Sequence, residues 1–211
     1  MKISIKKLEL AKLVEKQLNN FFDISKTEKN LIYKNINKVL LKTEYCFSKS
    51  KNKYFKKNKE TYFNPFNSDQ YAIFLYFFSN HVYIAYKKKY ENLASKFYYL
   101  NKALNGFDLL YSIKMPKVFF PYHAVGSVIG RAKIGNYFSF SQNCTVGNNK
   151  GVYPQIGNHV EMLSGSKILG NSKVGNNVLF SANSYIKDLN VPSNTIVFGQ
   201  YPKNIFKKKQ N

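Results

Sequence analysis

The chain has 211 residues, of which 44% are hydrophobic. This allows one or two domains with true cores, and the longest apolar run, Tyr71 to Phe78, is too short to span a bilayer. The first residues, MKISIKKLEL, lack the apolar segment of a signal peptide. Two cysteines without metal-type spacing fit a reducing compartment. We expect a cytoplasmic protein with no transmembrane segment and no metal.

The formal net charge is +22, from 33 basic and 11 acidic residues. A basic chain of this kind favours nucleic acid, anionic membranes or acidic polymers as partners. The charge is spread over both halves, however, and Lys, Asn, Ile, Phe and Tyr are abundant together, as AT-rich codons favour. Because no recognised nucleic-acid module accompanies the charge, we expect no nucleic-acid partner.

All 11 glycines lie at or after Gly106, and this shift in composition marks a domain boundary. We expect an α-helical N-terminal domain over residues 1–105, a second domain over 106–203 and a basic C-terminal tail over 204–211. Apolar periodicity in the first half predicts four helices. They are expected around Leu8–Leu18, around Leu31–Phe47, after a cap at Ser68 or Asp69, and over Tyr90–Leu104, with a left-handed stop at Asn105-Gly106. The lysine-rich Ser48–Glu60 is expected to be a solvated connector, and His81 receives no role.

The second half repeats every six residues. Each unit begins with an apolar residue, often followed by glycine, and its fifth residue is often small; one four-residue insertion falls within Asn148–Gln155. The first positions are Val128, Ile134, Phe140, Val146, Ile156, Met162, Ile168, Val174, Phe180 and Ile186. So short a repeat must stack on copies of itself. We expect the apolar first residues to point inward and the small fifth residues to fit the tight interior, with Gly or Asn at corners of positive φ. The fold class predicted is therefore α+β, an N-terminal α-helical domain followed by a left-handed parallel β-helix of hexapeptide repeats.

The stretch from YHAVGSVIGRAKIG to SNTIVFG resembles the serine acetyltransferase family of hexapeptide acyltransferases. It looks especially like the members found in bacterial surface-polysaccharide gene clusters. The resemblance implies acetyl-CoA as acyl donor, O-acetyl transfer, and a cleft shared by subunits of a homotrimer or a dimer of trimers.

Within this resemblance, His123 in YHAVG matches the family's catalytic histidine. Asp108 in GFDLL, 15 residues earlier, matches the carboxylate that orients it. One coil is near 18 residues, so this interval can place Asp108 beside His123 on an adjacent turn. Acyl transfer to a hydroxyl needs a base to accept the hydroxyl proton. We therefore expect His123 to be the general base and Asp108 its orienting partner.

The segment GVYPQIG departs from the family. Val152 stands where the family has an arginine that helps bind the substrate carboxylate, and Tyr153 stands where it has a second active-site histidine. Valine cannot pair with a carboxylate, whereas Tyr153 can donate a hydrogen bond or stack on a sugar ring. Tyr153 is therefore a candidate catalytic residue, with packing on the coil as the alternative. His159 is expected to point outward without a role.

Positions matching the family's acetyl-CoA contacts form a further set of candidates. They are Gln142, Thr145, Gly147, Ser164, Gly165, Ala182 and Lys187. Small residues would let the pantetheine arm lie against the coil, and Lys167, Lys173, Lys187 and Lys203 are alternative partners for the CoA phosphates.

The departures at Val152 and Tyr153 favour a sugar hydroxyl as acceptor. The leading hypothesis is an O-acetyltransferase acting on a glycan of a bacterial surface polysaccharide, such as capsule or lipooligosaccharide, with electrostatic attraction to an acidic polymer. The alternatives are a serine O-acetyltransferase of cysteine biosynthesis, an aminosugar N-acetyltransferase, and a binding module that has lost turnover.

Overall fold

The computed structural model describes residues 1–209, which divide into two compact units, Met1–Asn105 and the residues from Gly106 onward. Helices dominate the first unit and parallel β-structure the second, which confirms the predicted fold class. Among residues 1–209, no helix is both long enough and apolar enough to cross a membrane.

The first unit, all of whose residues are described, is built on four α-helices and a small sheet of order β1-β3-β2. The helices are α1 (Lys7–Phe21), α2 (Lys26–Ser48), α3 (Ser68–Tyr86) and α4 (Glu91–Asn105), with short 3-10 helices at Lys53–Phe55 and Lys87–Tyr90. The strands are β1 (Lys2–Ile3), β2 (Lys56–Lys57) and β3 (Glu60–Phe63). The expected connector over Ser48–Glu60 thus contains a 3-10 turn and one strand of a hairpin.

Helix α3 forms the centre of this unit. Every residue from Gln70 to Ser79 is buried, as expected for a helix that is apolar on all sides. Phe78 stacks on Phe97 of α4 with ring centroids 4.3 Å apart. The helix begins one residue earlier than predicted, because the side chain of Asn67, rather than Ser68 or Asp69, accepts the hydrogen bond from the Gln70 amide (3.1 Å).

The second unit is a triangular stack of short strands. They are β4 (Asp108–Leu109), β5 (Phe119–Pro121), β6 (Val128–Ile129), β7 (Lys133–Ile134), β8 (Phe138–Phe140), β9 (Thr145–Gly147), β10 (Gln155–Ile156), β11 (Glu161–Met162), β12 (Lys167–Leu169), β13 (Lys173–Val174), β14 (Leu179–Phe180), β15 (Tyr185–Lys187), β16 (Asn190–Val191), β17 (Thr195–Phe198) and β18 (Ile205–Lys208). The tail residues 205–208 pair antiparallel with β17, and residues 210–211 lie outside the described range.

Three sheets form the sides of this stack. The five-stranded sheet contains β4, β6, β9, β12 and β15; the four-stranded sheet contains β7, β10, β13 and β16; the six-stranded sheet contains β5, β8, β11, β14, β17 and β18. We name the corners between them. Corner A joins the six-stranded to the five-stranded sheet and contains residues 122–127, 141–144, 163–166 and 181–184. Corner B joins the five-stranded to the four-stranded sheet and contains residues 130–132, 148–154, 170–172 and 188–189. Corner C joins the four-stranded to the six-stranded sheet and contains residues 135–137, 157–160, 175–178 and 192–194.

Most of the predicted first positions point into the coil and are buried. The prediction is wrong at Val128, which is 45% exposed, while its neighbour Ile129 is 1% exposed and pairs with Val146 in the next coil. The repeat is locally irregular here. Ile129 follows the preceding inward position, Pro121, by eight positions and precedes the next, Ile134, by only five, instead of six in each case.

Stacking at the corners leaves no room for side chains at several glycines. A Cβ on Gly157 would lie 2.6 Å from the carbonyl oxygen of Gly175 in the next coil, and backbone atoms cannot move aside. Gly151, in contrast, would meet nothing within 4 Å, although its φ of +80° is unfavourable for other residues.

Replacing Gly157 with Ala should therefore destabilise the protein more than the same change at Gly151. We expect a loss of about 3 kcal/mol at Gly157, the upper range for overpacking, against about 1 kcal/mol at Gly151, where only backbone strain acts. Thermal unfolding by circular dichroism measures both. Equal melting temperatures of the two variants would contradict the close approach of Gly157 to the Gly175 carbonyl in the next coil.

A second prediction concerns His81 in α3. Lys42 Nζ donates to His81 Nδ1 (3.4 Å), and His81 Nε2 donates to the buried Asn35 Oδ1 (3.0 Å). Burial, aided by the charges of Lys42 and Lys38, lowers the pKa of His81 to about 4. Because the unfolded chain binds the proton near pH 6.5, stability should fall as the pH decreases from about 6.5 to about 4.

The non-titrating variant His81→Gln, whose amide can both donate and accept, isolates this effect. Its melting temperature should fall less than that of the wild type between pH 7 and pH 5. Parallel pH profiles for the two proteins would show that His81 does not carry the dependence.

Candidate active site

The corner that carries His123 is longer than the corners stacked beside it. Pro121 pairs with Phe140 and Val128 pairs with Thr145, so six residues (122–127) turn the corner where the next coil uses four (141–144). The two following coils also use four residues, 163–166 and 181–184. The two additional residues make this corner depart from the regular stack.

His123 is exposed within this corner and has a φ of +50°, a conformation that few non-glycine residues adopt. Its carbonyl oxygen accepts from the Val125 amide (2.8 Å), which makes the turn tight. Because positive φ recurs at the regular corners, as at Asn143 and Asn183, it is the added length of this corner and the exposure of its imidazole that distinguish His123.

Asp108 lies on the coil adjacent to this corner. Its amide donates to the carbonyl of Ser127 (2.8 Å), and the amide of Gly126 donates to the carbonyl of Gly106 (2.8 Å). Asp108 is half-buried and pairs with the outward-facing Val128. The backbone thus places Asp108 on the coil next to the His123 corner, and the interaction between the two side chains stays a prediction.

Four of the predicted acetyl-CoA residues form a column along corner A, next to the His123 turn. Backbone hydrogen bonds join these turns from coil to coil. The Asn143 amide donates to the Val125 carbonyl (2.9 Å), the Gly165 amide to the Gln142 carbonyl (2.9 Å) and the Asn183 amide to the Ser164 carbonyl (2.8 Å). The column members are Gln142, Ser164, Gly165 and Ala182. Position 165 favours glycine, because its φ is +71° and a Cβ there would lie 2.3 Å from Asn183 Oδ1.

The remaining predicted residues lie along the five-stranded sheet. Thr145 lies at the corner A end of β9, paired with Val128 and Lys167. Gly147 and Lys187 lie at the corner B end of their strands, and both pair with Leu169. Lys187 Nζ lies 5.9 Å from the centroid of the Tyr201 ring. Of the alternative lysines, Lys167 also lies on this sheet, Lys173 is on the four-stranded sheet, and Lys203 lies between β17 and β18.

Tyr153 lies at corner B, in the four-residue insertion. Asn149 and Val152 exchange both backbone hydrogen bonds (3.0 Å each), and Lys150 and Gly151 have φ of +49° and +80°. This is a two-residue hairpin of the type I′ kind. Tyr153 is half-buried, its ring lies against Gly130, and its hydroxyl accepts from Asn148 Nδ2 (3.4 Å). Within one chain, Tyr153 and His123 lie at opposite ends of the five-stranded sheet.

His159 lies at corner C with a φ of +56°. It is exposed, as expected, and its ring stacks on Tyr137 with centroids 4.3 Å apart and planes 8° from parallel. The sequence analysis missed this stack, and it also missed Asp188, whose carboxylate accepts from Asn149 Nδ2. Neither contact could be read from the six-residue period, because each depends on which corner positions become neighbours.

A groove of about 530 Å³ runs along the outer side of the four-stranded sheet, lined by Lys133, Gln155 and Lys173 among others. Its lining includes Lys173, one of the alternative partners predicted for the CoA phosphates, but none of the corner A residues. Among residues 1–209, no group of three or more His, Cys, Asp or Glu side chains could hold a metal ion.

The chain is similar in sequence to serine acetyltransferases. It is 36% identical over 129 residues to the serine acetyltransferase of Staphylococcus epidermidis strain RP62A, which covers 59% of this chain and 60% of that protein. The chain thus spans less than two thirds of the length of this relative. No family model matches the chain.

Solved structures are similar to the chain in fold. The serine acetyltransferase of Brucella abortus strain S19 superposes with a TM-score of 0.68 at 18% identity, covering 87% of this chain and 77% of that one. Its complex with coenzyme A gives a TM-score of 0.64 at 16% identity, covering 87% and 76%. This likeness establishes a shared fold, the left-handed β-helix preceded by helices.

Proposed function

We propose that this serine acetyltransferase-like chain transfers the acetyl group of acetyl-CoA to the hydroxyl of L-serine, with His123 as general base and Asp108 as its orienting partner. The observation that carries the proposal is the 36% identity over 129 residues to a serine acetyltransferase. It favours serine over the sugar hydroxyl that Val152 and Tyr153 alone had suggested. The similarity in fold to the Brucella abortus serine acetyltransferase bound to coenzyme A supports acetyl-CoA as the donor.

In the proposed reaction, the serine hydroxyl oxygen attacks the thioester carbonyl carbon while His123 accepts the hydroxyl proton. A carbon–oxygen bond forms, the carbon–sulfur bond breaks, and the proton passes from the imidazolium to the leaving CoA thiolate. O-acetylserine and CoA are the products. An exposed His123 meets the first requirement of this role, since the acceptor must reach it from solvent.

The column along corner A is the proposed path of the pantetheine arm. Gly165 and Ala182 present little side chain there, and Ser164 and Gln142 offer polar groups. Lys187, at the corner B end of β15, is the proposed phosphate partner, and Lys167, at the corner A end of the neighbouring strand β12, is the alternative on the same sheet.

We further propose that the complete site is shared between copies of the chain in a trimer. The supporting observation is that His123 and the Tyr153 hairpin lie at opposite ends of one sheet, so that a single copy does not bring them together. Light scattering coupled to size exclusion measures the assembly, and an active monomer would argue against a shared site.

A sugar hydroxyl remains the second candidate acceptor, and a specific observation favours it. Val152 is 46% exposed on the hairpin and presents an apolar side chain where carboxylate recognition would need a cation. Tyr153, half-buried on the same hairpin, supplies an aromatic ring of the kind that stacks on a sugar ring.

The first test replaces His123 with Asn, a residue that tolerates positive φ and so preserves the corner. Loss of the base should lower kcat by about 10²–10⁴-fold. His159→Asn is the matched control, because it makes the same substitution in the same backbone conformation at another corner. CoA release, followed with a thiol-reactive dye, measures both. A His123→Asn enzyme with undiminished kcat would remove His123 from the mechanism.

The second test decides the acceptor. We expect CoA release with L-serine and none above background with surface glycans or amino sugars. Val152→Arg should lower the KM for serine by about tenfold, because a charged hydrogen bond to the carboxylate is worth more than 1.4 kcal/mol. Release only with a glycan would replace serine by the sugar acceptor and leave acetyl transfer in place.

A further inference from the structure

One carboxylate ties together three successive coils at corner B. Asn149 Nδ2 donates to Asp188 Oδ2 (2.6 Å), although the two residues are 39 positions apart. The second oxygen, Asp188 Oδ1, accepts from the backbone amide of Asn171 (2.7 Å), which belongs to the intervening coil. Hydrogen bonds to an ionised acceptor are short and roughly twice as strong as neutral ones. Asp188 therefore anchors the insertion at Asn149 to a coil two turns further along.

Gly170 leaves the space through which this anchor passes. A Cβ at Gly170 would lie 2.0 Å from Asp188 Oδ1 and 2.8 Å from the Cβ of Asn149. Gly170 and Asp188 both have positive φ, +68° and +53°. The local backbone is thus shaped to bring the Asn149 amide and the Asp188 carboxylate together.

The anchored residue determines where Val152 and Tyr153 lie. Asn149 is the partner of Val152 in the hairpin, and Asn148 is hydrogen-bonded to the hydroxyl of Tyr153. An isolated two-stranded hairpin is marginal in water. The hairpin needs fixed points, and within the described residues it has the Asp188 anchor on one side and the Tyr153 contact with Gly130 on the other.

We propose that Asp188 is a positioning residue that, through Asn149, holds Val152 and Tyr153 as the acceptor-side wall of the active site. The proposal rests on the proposed function and on the proposed sharing of the site between copies, because the hairpin has this task only if it lies beside the His123 turn of a neighbouring copy. Asp188 itself touches no reacting group. Its role is to keep the wall in one place while the acceptor binds.

Protonation of the carboxylate would weaken the anchor only at acid pH. The backbone hydrogen bond from Asn171, then the side chain of Asn149 and the charges of Lys187 and Lys150, lower the pKa of Asp188 below its usual range. The carboxylate is therefore ionised at neutral pH, and its contribution is lost only as the pH falls through that lowered pKa.

The experiment compares Asp188→Ala, Asn149→Ala and the conservative Asp188→Asn in the full chain. Losing either partner of the anchor should raise the KM for the acceptor by about tenfold or more, the usual cost of removing an orienting partner, without raising the KM for acetyl-CoA. The double variant should be no worse than Asp188→Ala, because that single variant already removes the contact with Asn149. Asp188→Asn, which keeps an oxygen for Asn171 and an amide for a reoriented Asn149, should retain most of the wild-type KM.

A second readout does not depend on activity. Lys150 lies at the tip of the hairpin, so trypsin cleavage after Lys150, followed by mass spectrometry, reports how firmly the hairpin is held. Both alanine variants should be cleaved there about tenfold faster, because such cleavage follows the population of the opened state. The control is Asn177→Ala, which replaces a corner C residue of similar φ (+55°) that does not contact the hairpin.

Each outcome decides one part of the proposal. Unchanged cleavage at Lys150 in the alanine variants would overturn the anchor, whatever the activity. Faster cleavage with an unchanged KM for the acceptor would overturn the acceptor-side wall while leaving acetyl transfer standing. A wild-type protein without turnover on any acceptor would overturn the proposed function and the positioning role with it, and cleavage would still measure the anchor.

Discussion

The close spacing of successive coils is the constraint on which the second unit depends. Parallel strands stack at about 4.8 Å, and at the corners this distance admits backbone and small groups only. Gly165 accommodates the side chain of Asn183, and Gly170 accommodates the carboxylate of Asp188. At corner C the amide of Asn136 donates to Asn158 Oδ1 (2.8 Å), and the amide of Asn158 donates to Asn176 Oδ1 (2.7 Å). Side chains of one coil thus satisfy the backbone of the previous one, and the corners become rigid.

Rigid corners confine chemical variation to the places where the stack is interrupted. Two such interruptions occur near the proposed site, the six-residue turn that carries His123 and the hairpin that carries Tyr153. Each departs from the coil without breaking it, because the strands on either side keep their register. The enlarged turn presents an exposed histidine, and the hairpin presents Val152 and Tyr153. The regular corner A turns of the three coils after the His123 turn form the column along which the proposed donor lies.

The sequence predicted the coil well because its period is a local property. An apolar residue every six positions indicates an inward side chain, and eight of the ten positions so identified are buried. The prediction was wrong at Val128 because two added residues before it and a shortened unit after it move the inward position to Ile129. The cap at Asn67 was misplaced by one residue, since Asn67, Ser68 and Asp69 all suit a cap and only the backbone selects one. The contact of Asn149 with Asp188 could not be predicted, because it depends on the insertion folding back over two coils.

The same distinction between coil and interruption bears on the acceptor. Stacking constrains the coil residues, so similarity along the coil reports the fold and the donor column more directly than the acceptor. In the proposed site the acceptor meets the interruptions, where Val152 and Tyr153 stand in place of the arginine and histidine that the resemblance implies. If serine binds here, its carboxylate must find another cation, and with a net charge of +22 the chain offers many. Long-range attraction of that kind raises the local concentration of an anion but does not orient it. Under the proposed function, orientation then comes from the geometry of the hairpin, and the proposed anchor to the coil would set specificity whichever hydroxyl is acetylated.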